Sequence, residues 1–213
     1  MNRRRFLITT QATEPSLTVS DLELGTGVKF GNYVYIIVSY STGYRILLRD
    51  TLLGARAYTA TVNTLVDYDG SDVDNYLVNT FATAFSSKLQ SYMVSGNISY
   101  TVGNNGYTSS KTIARKVYLP GYSALFNNNT WKNSLKTYYG VTSDNSCRIA
   151  KSGGQARAYW TRDAATTAKY VQIVLVTGAN GTAGMNASNY VRPCINVTND
   201  MPIKLIDGVY TAV

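Results

Sequence analysis

Histidine is absent from this chain of 213 residues, and only 15% of its residues are charged. Without histidine, a nucleophile cannot be activated by an imidazole base, and nearly all catalytic zinc sites are excluded. The low charge argues against a disordered chain and against a helical bundle, which are normally richer in Glu and Lys. No phosphate-binding glycine motif is present. We therefore expect a protein that is not an enzyme and that uses neither a metal nor another cofactor.

Cysteines and long apolar runs are also scarce. The two cysteines, Cys147 and Cys194, lack the spacing of a metal site or a redox motif, so the sequence leaves their pairing open. The first residues, MNRRRFLITTQATEP, begin like a signal peptide, but their apolar run of three residues is too short for one. No segment approaches transmembrane length. We expect a chain that is made in the cytoplasm and is not inserted into a membrane.

The charge is unbalanced, with 20 Lys and Arg against 12 Asp and Glu, which gives a net charge of +8. A basic chain can indicate nucleic-acid binding, yet the basic residues are scattered and form a run only at Arg3, Arg4 and Arg5. Nucleic acid is therefore an unfavoured partner. The polar stretch QATEPS ends a predicted N-terminal arm, residues 1–16, and the remaining residues 17–213 have the length of one domain.

Tyrosine and glycine are abundant, with 18 and 17 residues, and this mixture is typical of short strands, turns and long structured loops. Residues 33–40 and 44–49 read as a hairpin closed by Ser-Thr-Gly. The clearest helix lies within residues 67–94, with Ser71 as its N-cap and an apolar stripe at helical spacing. Later strands are expected at 156–163, 168–181 and 187–198. This order predicts an α+β fold with short antiparallel strands and one main helix.

The segments between these elements are predicted to be loops. Residues 97–112 are rich in Gly and Asn, and residues 127–146 are expected to be mostly loop or short helix. The acidic run DYDGSD, residues 67–72, fails the spacing of an EF-hand. We interpret it as a turn and a helix N-terminus, where carboxylates face the positive end of the helix dipole. A cation site of another kind remains the alternative for residues 67–74.

Tyrosines interspersed with Ser, Gly and Asn resemble the composition of binding loops, because aromatic rings give contact area at low entropic cost. The alternative is that each tyrosine packs at the rim of a small strand. On the first interpretation, the loops at 126–155 and 178–189 carry the binding surface. The predicted ligand contacts are Tyr107, Tyr122, Trp131, Tyr138, Tyr139, Asn180, Asn186 and Asn189.

Two motifs near the C-terminal end, YWTRD and YVRPC, are the most distinctive in the chain. They resemble the W-L-R-S and G-V-R-P strands of an uncharacterised domain family found in phage virion proteins and bacterial surface proteins. LGTGVKFGNYVYIIV and ILLRD resemble that family's opening hairpin, SDVDNYLVNTF its helix, RKVYLPGYSALF its next strand and DGVYTAV its terminal strand. The resemblance covers residues 17–213 and implies a C-type-lectin-like domain related to the formylglycine-generating enzyme fold.

The resemblance also implies roles for four residues. It places the strands of Arg162 and Arg192 close together, where each guanidinium would donate to loop carbonyls. Pro193 would end a strand because it has no N–H to donate, and Trp160 would be structural as well. The paired-cysteine copper site of the formylglycine-generating relatives is not expected, because the two cysteines are far apart in sequence.

The function implied is that of a non-enzymatic structural and recognition protein of a bacteriophage particle, such as a tail- or head-associated fibre, spike or decoration protein. The run Arg3, Arg4 and Arg5 would help to attach the arm to other virion proteins, and the loops would contact a host surface glycan or protein. A homo-oligomer, most simply a trimer, is expected from how fibres and spikes are built. The alternatives are a bacterial surface adhesin module, an enzyme on the same scaffold and a capsid protein that contacts the genome.

Overall fold

A computed structural model describes residues 17–61, 65–104 and 107–213. The predicted arm, residues 1–16 with Arg3, Arg4 and Arg5, lies outside the described residues. Most of the described chain forms strands, and a few short helices pack around them, which is compatible with the predicted α+β class. The strands are β1 (Gly27–Phe30), β2 (Tyr33–Ser41), β3 (Tyr44–Arg49), β4 (Leu53–Ala57), β5 (Leu65–Val66), β6 (Gly96–Asn104), β7 (Tyr107–Arg115), β8 (Val117–Tyr118), β9 (Lys151–Ser152), β10 (Gln155–Ala156), β11 (Tyr159–Ala164), β12 (Tyr170–Val174), β13 (Asn180–Gly184), β14 (Ser188–Val191), β15 (Cys194–Thr198), β16 (Ile203–Ile206) and β17 (Val209–Ala212).

A seven-stranded sheet carries both ends of the described chain, in the order β16-β17-β1-β2-β3-β15-β8. The predicted hairpin forms its centre, with Ser41 opposite Tyr44 and Gly43 at a φ of 88° in the turn. Only glycine adopts such a φ at low cost. The apolar run of β2 is buried from Tyr35 to Val38, as its unbroken hydrophobicity predicts.

A second sheet contains the strands with the two distinctive motifs, in the order β13-β12-β11-β14-β4. Strands β11 and β14 are neighbours, as the resemblance implied for Arg162 and Arg192, but they run parallel. Strands β1 and β17 are parallel as well, so the expectation of antiparallel strands holds for most pairs and not for all. The segment 187–198 is two strands in different sheets, β14 and β15, and not the single strand expected.

Residues 97–104 and 107–112 form strands and not the expected loop. They belong to the long hairpin of β6 and β7, paired from Gly96 with Arg115 to Asn104 with Tyr107, and β5 extends it to three strands. Every second residue of β6 is apolar and buried, namely Ile98, Tyr100 and Val102. This period of two is the signal for a strand, and it outweighs the Gly and Asn content that suggested a loop.

The helices are several and short, so the prediction of one main helix is wrong. They are α1 (Asp72–Tyr76), α2 (Ser87–Tyr92), α3 (Tyr122–Phe126), α4 (Asn129–Tyr139) and α5 (Asp144–Arg148). Helix α1 continues through a π-helical turn, Leu77–Phe81, and a 3-10 turn, Ala82–Ala84, before Phe85 takes an extended conformation. Ser71 caps α1 as predicted, and its side chain accepts a hydrogen bond from the Asp74 amide.

Helix α4 is the longest of these helices, with 11 residues, whereas residues 127–146 were expected to be mostly loop or short helix. Asn128 caps it by accepting from the Trp131 amide, and Gly140 ends it at a φ of 63°. Trp131 and Leu135 are buried one turn apart and pack the helix against β2. One hydrophobic core joins both large sheets and the helices. Among the described residues, no helix has the length and apolar character needed to cross a membrane.

Candidate ligand-binding cleft

The chain crosses between the two large sheets at two adjacent places. Residues 49–53 connect β3 to β4, and residues 191–194 connect β14 to β15. The Arg49 amide donates to the Pro193 carbonyl at 2.9 Å, and the Nε of Arg192 donates to the Arg49 carbonyl at 2.9 Å. Pro193 interrupts the ladder because it has no N–H. The Arg-Pro pair thus lies where one strand path leaves the second sheet and enters the first.

The Arg192 side chain is fully buried and contacts no carboxylate directly. Its Nη1 donates to the hydroxyl of Tyr159 at 3.2 Å, and its Nη2 donates to the hydroxyl of Tyr139 at 2.9 Å. Tyr139 in turn donates to the Asp50 carboxylate at 2.7 Å. The buried positive charge of Arg192 is therefore connected to Asp50 through Tyr139. Asp50 also lies near the neighbouring Tyr138, and burial, followed by this carboxylate, raises the pKa of Tyr138 to about 12.

Arg162 and Arg148 also donate to main-chain carbonyls. Arg162 donates from Nε to Ser99 and from Nη1 to Leu119, both at 2.8 Å. Arg148, which sequence reasoning did not single out, is buried and donates from Nε to the Gly178 carbonyl at 2.8 Å. These guanidiniums supply donors to carbonyls that no regular ladder satisfies.

Trp160 is fully buried in β11. Its indole Nε1 donates to the Arg56 carbonyl at 2.9 Å, and its ring packs edge-on to Tyr58 with the centroids 5.5 Å apart. An indole N–H that is buried needs such a partner. The four residues that the resemblance marked as structural are thus engaged in contacts within the protein.

The predicted ligand contacts do not converge on one surface. Trp131 is buried in α4 and cannot form part of an exposed loop, because it packs in the core. Tyr122, Tyr138 and Tyr139 are half-buried and line three separate clefts. Asn180 is exposed on β13, Asn186 is exposed in the turn after β13, and Asn189 lies on β14. The backbone of Tyr107 belongs to β7, and its side chain lies outside the described part.

The cleft with the most hydroxyl side chains in its lining lies between the β6–β7 hairpin, the start of α3 and the strands β11 and β12, and is called here the β6–α3 cleft. Its volume is about 310 Å³. One aromatic ring from the predicted set, Tyr122, lines it. Hydroxyl side chains dominate the rest of its wall, and they belong to Ser99, Thr101, Thr108, Ser110, Ser123 and Thr166.

Asp163 is the carboxylate of this cleft, and the protein holds it in a fixed position. One oxygen accepts from the Thr101 amide at 2.9 Å, and the other accepts from the Tyr122 amide. The residue is 9% exposed, and it has no ion-pair partner among the described residues. Gln172, which also lines the cleft, has a buried Oε1 without a hydrogen-bond partner in the described part of the chain.

The Tyr122 ring is also held in place. It stacks on Phe126 with the centroids 4.8 Å apart and an interplanar angle of 19°. The two residues are four apart in the chain, so the single turn of α3 brings them together. A rigid ring beside hydroxyls, an amide and a carboxylate is able to bind a molecule with many hydroxyl groups, through stacking and through hydrogen bonds.

Sequence reasoning found Tyr122 and missed the polar groups around it. Asp163 has no local signal in the sequence, because its partners Thr101 and Tyr122 lie 62 and 41 residues away. For Ser99 and Thr101 a signal existed: they alternate with the buried residues of β6, and the period of two would have placed them on one strand.

Three carboxylates of the acidic run at residues 67–74 form ion pairs with basic side chains. Asp67 contacts Lys111, and Asp74 accepts from Arg115 at 2.7 and 3.0 Å. Asp69 contacts Arg115 as well. Among the described residues, no group of three or more potential metal ligands is arranged around one point. These ion pairs connect β7 to the turn before α1, and they leave the carboxylates compensated.

A larger cleft of about 680 Å³ lies between the β1–β2 turn and the helical residues 76–89. Its wall is mainly apolar, with Phe81, Phe85 and Leu89, and its charged side chain is Lys88. The arrangement lacks the converging polar groups that fix a small ligand in a defined orientation. The β6–α3 cleft is therefore the better candidate site.

Comparison with known proteins gives one match. The profile of a family described as Domain of unknown function (DUF6273) matches residues 42–199, which is more than half of the chain. The matched range includes the β6–α3 cleft and the arginine junction, and it excludes β1, β2, β16 and β17. No curated protein matches, and no solved structure matches.

Proposed function

The chain belongs to this family of unknown function, and we propose that it is a non-catalytic recognition domain of a bacteriophage particle, which binds a host surface glycan in the β6–α3 cleft. In this proposal the fold is C-type-lectin-like, and the protein is a fibre, spike or decoration protein of the virion. The ordered series of motifs that resembles phage and bacterial surface proteins supports the location. The chemistry of the cleft supports the activity.

The observation that carries the proposal is the combination of groups in one cleft. Saccharides present hydroxyl groups around an apolar ring face, and they need both donors and acceptors from a protein. The cleft offers hydroxyls that do both, an amide side chain at Gln172 and a fixed carboxylate at Asp163. The Tyr122 ring adds a stacking surface. A volume of about 310 Å³ is at the small end of ligand pockets and suits one or two sugar rings.

The same geometry favours binding over catalysis. General acid–base chemistry on a glycosidic bond needs two carboxyl groups at a defined separation. Among the residues that line the β6–α3 cleft, Asp163 is the one carboxylate, and main-chain amides hold both of its oxygens. A carboxylate fixed in this way accepts hydrogen bonds from a ligand and has no partner with which to transfer a proton.

The remaining parts of the proposal concern assembly. The arm at 1–16 would attach the domain to other virion proteins, with Arg3, Arg4 and Arg5 as its basic contacts. The expected homo-oligomer, a trimer by analogy with fibres, would use exposed apolar surface. The strand β16 at the edge of the seven-stranded sheet offers such surface at Leu205 and Ile206, which are 62% and 45% exposed.

The proposal is tested by electron microscopy of purified phage particles that carry a labelled copy of this protein. We expect label at the tail or on the head surface, and loss of adsorption to host cells when Tyr122 is replaced by Ala. The matched control is Thr182→Ala, which changes an exposed residue of β13 outside the cleft. If particles lack the protein, the virion location is wrong, and a bacterial surface adhesin becomes the function to test with the isolated domain.

A further inference from the structure

The charges that surround the β6–α3 cleft are unequal. Asp163 carries a negative charge in the wall itself, and the lining contains no Lys or Arg side chain. The two nearest basic residues along the lining segments are already engaged. Arg162 donates to the carbonyls of Ser99 and Leu119 behind the wall, and Lys111 contacts Asp67. A ligand in this cleft therefore meets a fixed negative charge and many neutral hydrogen-bonding groups.

The hydrogen bonds of Asp163 leave room for a ligand. Oδ1 accepts from the Thr101 amide at 2.9 Å and from the Thr101 hydroxyl at 3.4 Å, and Oδ2 accepts from the Tyr122 amide. A carboxylate oxygen has two acceptor positions, so one position of Oδ2 is left for a ligand. Because both oxygens are already bound, the carboxylate cannot rotate away from an incoming group. A hydroxyl or ammonium group of a ligand would donate to the free position, whereas a ligand carboxylate or phosphate would be repelled.

We infer that the β6–α3 cleft selects uncharged or amino-substituted saccharides and discriminates against saccharides with carboxylate or phosphate groups. This inference rests on the proposed function and names the ligand class of the same site. Two like charges about 5 Å apart, at the effective dielectric constants of about 20 to 40 that suit a partly buried wall, weaken binding by roughly 15-fold to 300-fold. The guanidinium of Arg162 offsets part of this repulsion, so we expect at least about 5-fold discrimination.

The experiment compares matched pairs of immobilised oligosaccharides. Each pair shares one neutral core, and the second member carries a terminal uronic acid or a phosphate. The full chain is titrated at about 0.15 M salt, and again at about 0.5 M, where screening suppresses attraction of acidic sugars to the basic surface as a whole. We expect the neutral member to bind at least about 5-fold more tightly at both salt concentrations.

A change of charge in the cleft provides the second arm. Gln172→Lys places a cation in the cleft without removing the amide hydrogen bonds of Asp163, and Gln172→Met is the uncharged control of similar length. We expect Gln172→Lys, and not Gln172→Met, to improve binding of the acidic member relative to the neutral one by about 5-fold or more. Circular dichroism of both variants verifies that they fold.

The outcomes separate the two levels of the argument. Preference for the neutral member, reversed by Gln172→Lys, supports the inference. Equal or tighter binding of the acidic member at both salt concentrations overturns the inference and leaves glycan recognition in place. Absence of binding to every saccharide overturns both the inference and the proposed function.

Discussion

Replacement of Arg192 by Lys is the most direct test of how the two sheets are joined. The guanidinium is fully buried, and its three nitrogens donate to the Arg49 carbonyl and to the hydroxyls of Tyr159 and Tyr139. A lysine ammonium keeps the charge but donates from a single atom, so it cannot reach acceptors on different sides of the junction. We expect one or two of these acceptors to lose their donor.

The magnitude follows from the cost of a buried polar group without a partner, which is about 1–3 kcal/mol. One or two such groups lower the free energy of unfolding by about 1–6 kcal/mol, compared with the roughly 5–15 kcal/mol of a typical domain. For a chain of this length the corresponding decrease in Tm is about 2–24 °C. Urea unfolding monitored by tryptophan fluorescence is suitable, because Trp131 and Trp160 are both buried.

The control is Arg157→Lys, because the Arg157 guanidinium is half-buried, donates to the nearby Gln155 side chain and otherwise lies 5.7 Å from the Tyr190 ring centroid in the part of the chain that the structure describes. We expect it to change the free energy of unfolding by less than about 1 kcal/mol. If Arg192→Lys is no more destabilising than this control, the junction does not depend on the fork of donors, and the argument for Arg192 as the connection between the sheets fails.

Three further predictions concern other parts of the chain. Gly178 has a φ of 77°, and a Cβ there would lie 1.9 Å from the Asn145 carbonyl oxygen, so Gly178→Ala should lower the free energy of unfolding in urea by about 3 kcal/mol or more. Gly140 has open space around it, so Gly140→Ala should lower the free energy of unfolding by about 1 kcal/mol. Equal losses for the two variants would contradict the steric argument. Hydrogen bonds from Lys136 and Lys132 lower the pKa of Asp144 to about 2, from an ordinary value near 3.8. Because the folded-state pKa is the lower one, this contribution to stability is present above pH 4 and disappears as the pH falls towards 2. When the free energy of unfolding is measured between pH 4 and pH 2, Asp144→Asn should therefore lose less stability than the unchanged chain. Cys147 and Cys194 are free and buried, and burial raises the pKa of the Cys194 thiol to about 12. A thiol reagent at pH 8 should therefore label neither cysteine in the folded chain and both cysteines in urea. Rapid labelling of the native protein would show that one of them is accessible.

The elements that the sequence predicted well are those with a strong local signal. The hairpin of β2 and β3 has an apolar run, a turn and a return strand within 17 residues, and Ser71 precedes its helix with a side chain suited to capping. These signals need no information from distant residues. The interruption at Phe85 has no such signal, because Phe30 and Phe81 pack edge-on against its ring and fix its position.

The elements that were missed had signals that pointed in two directions. Helix α4 is rich in Asn, Thr and Tyr, which have low helix propensity, yet Asn128, Trp131, Leu135 and Gly140 stand at the spacings of a cap, a buried stripe and a helix end. Burial of Trp131 and Leu135 in the core stabilises the helix despite the low helix propensity of its other residues.

The cleft could not be predicted for a different reason. Its polar groups come from four separate regions of the chain, and only the pairing of strands and the packing of α3 bring them together. Tyr122 was identified because aromatic residues in polar surroundings are conspicuous. Asp163 and Gln172 were not, because a single carboxylate or amide in a strand has no local signature of binding.

The pairing of early strands with late ones has a consequence for how the protein is made. Strand β1 lies between β2 and β17, and β3 pairs with β15. At translation rates of about 5–20 residues per second, β15 and β17 follow β3 after roughly ten to thirty seconds, during which the three strands β1, β2 and β3 have neither of their outer neighbours. Such distant pairings slow folding, since each requires the closure of a long loop. The nascent chain therefore exposes two hydrophobic strand edges on the ribosome for that interval, and chaperone supply and growth temperature during expression should govern the yield of folded protein.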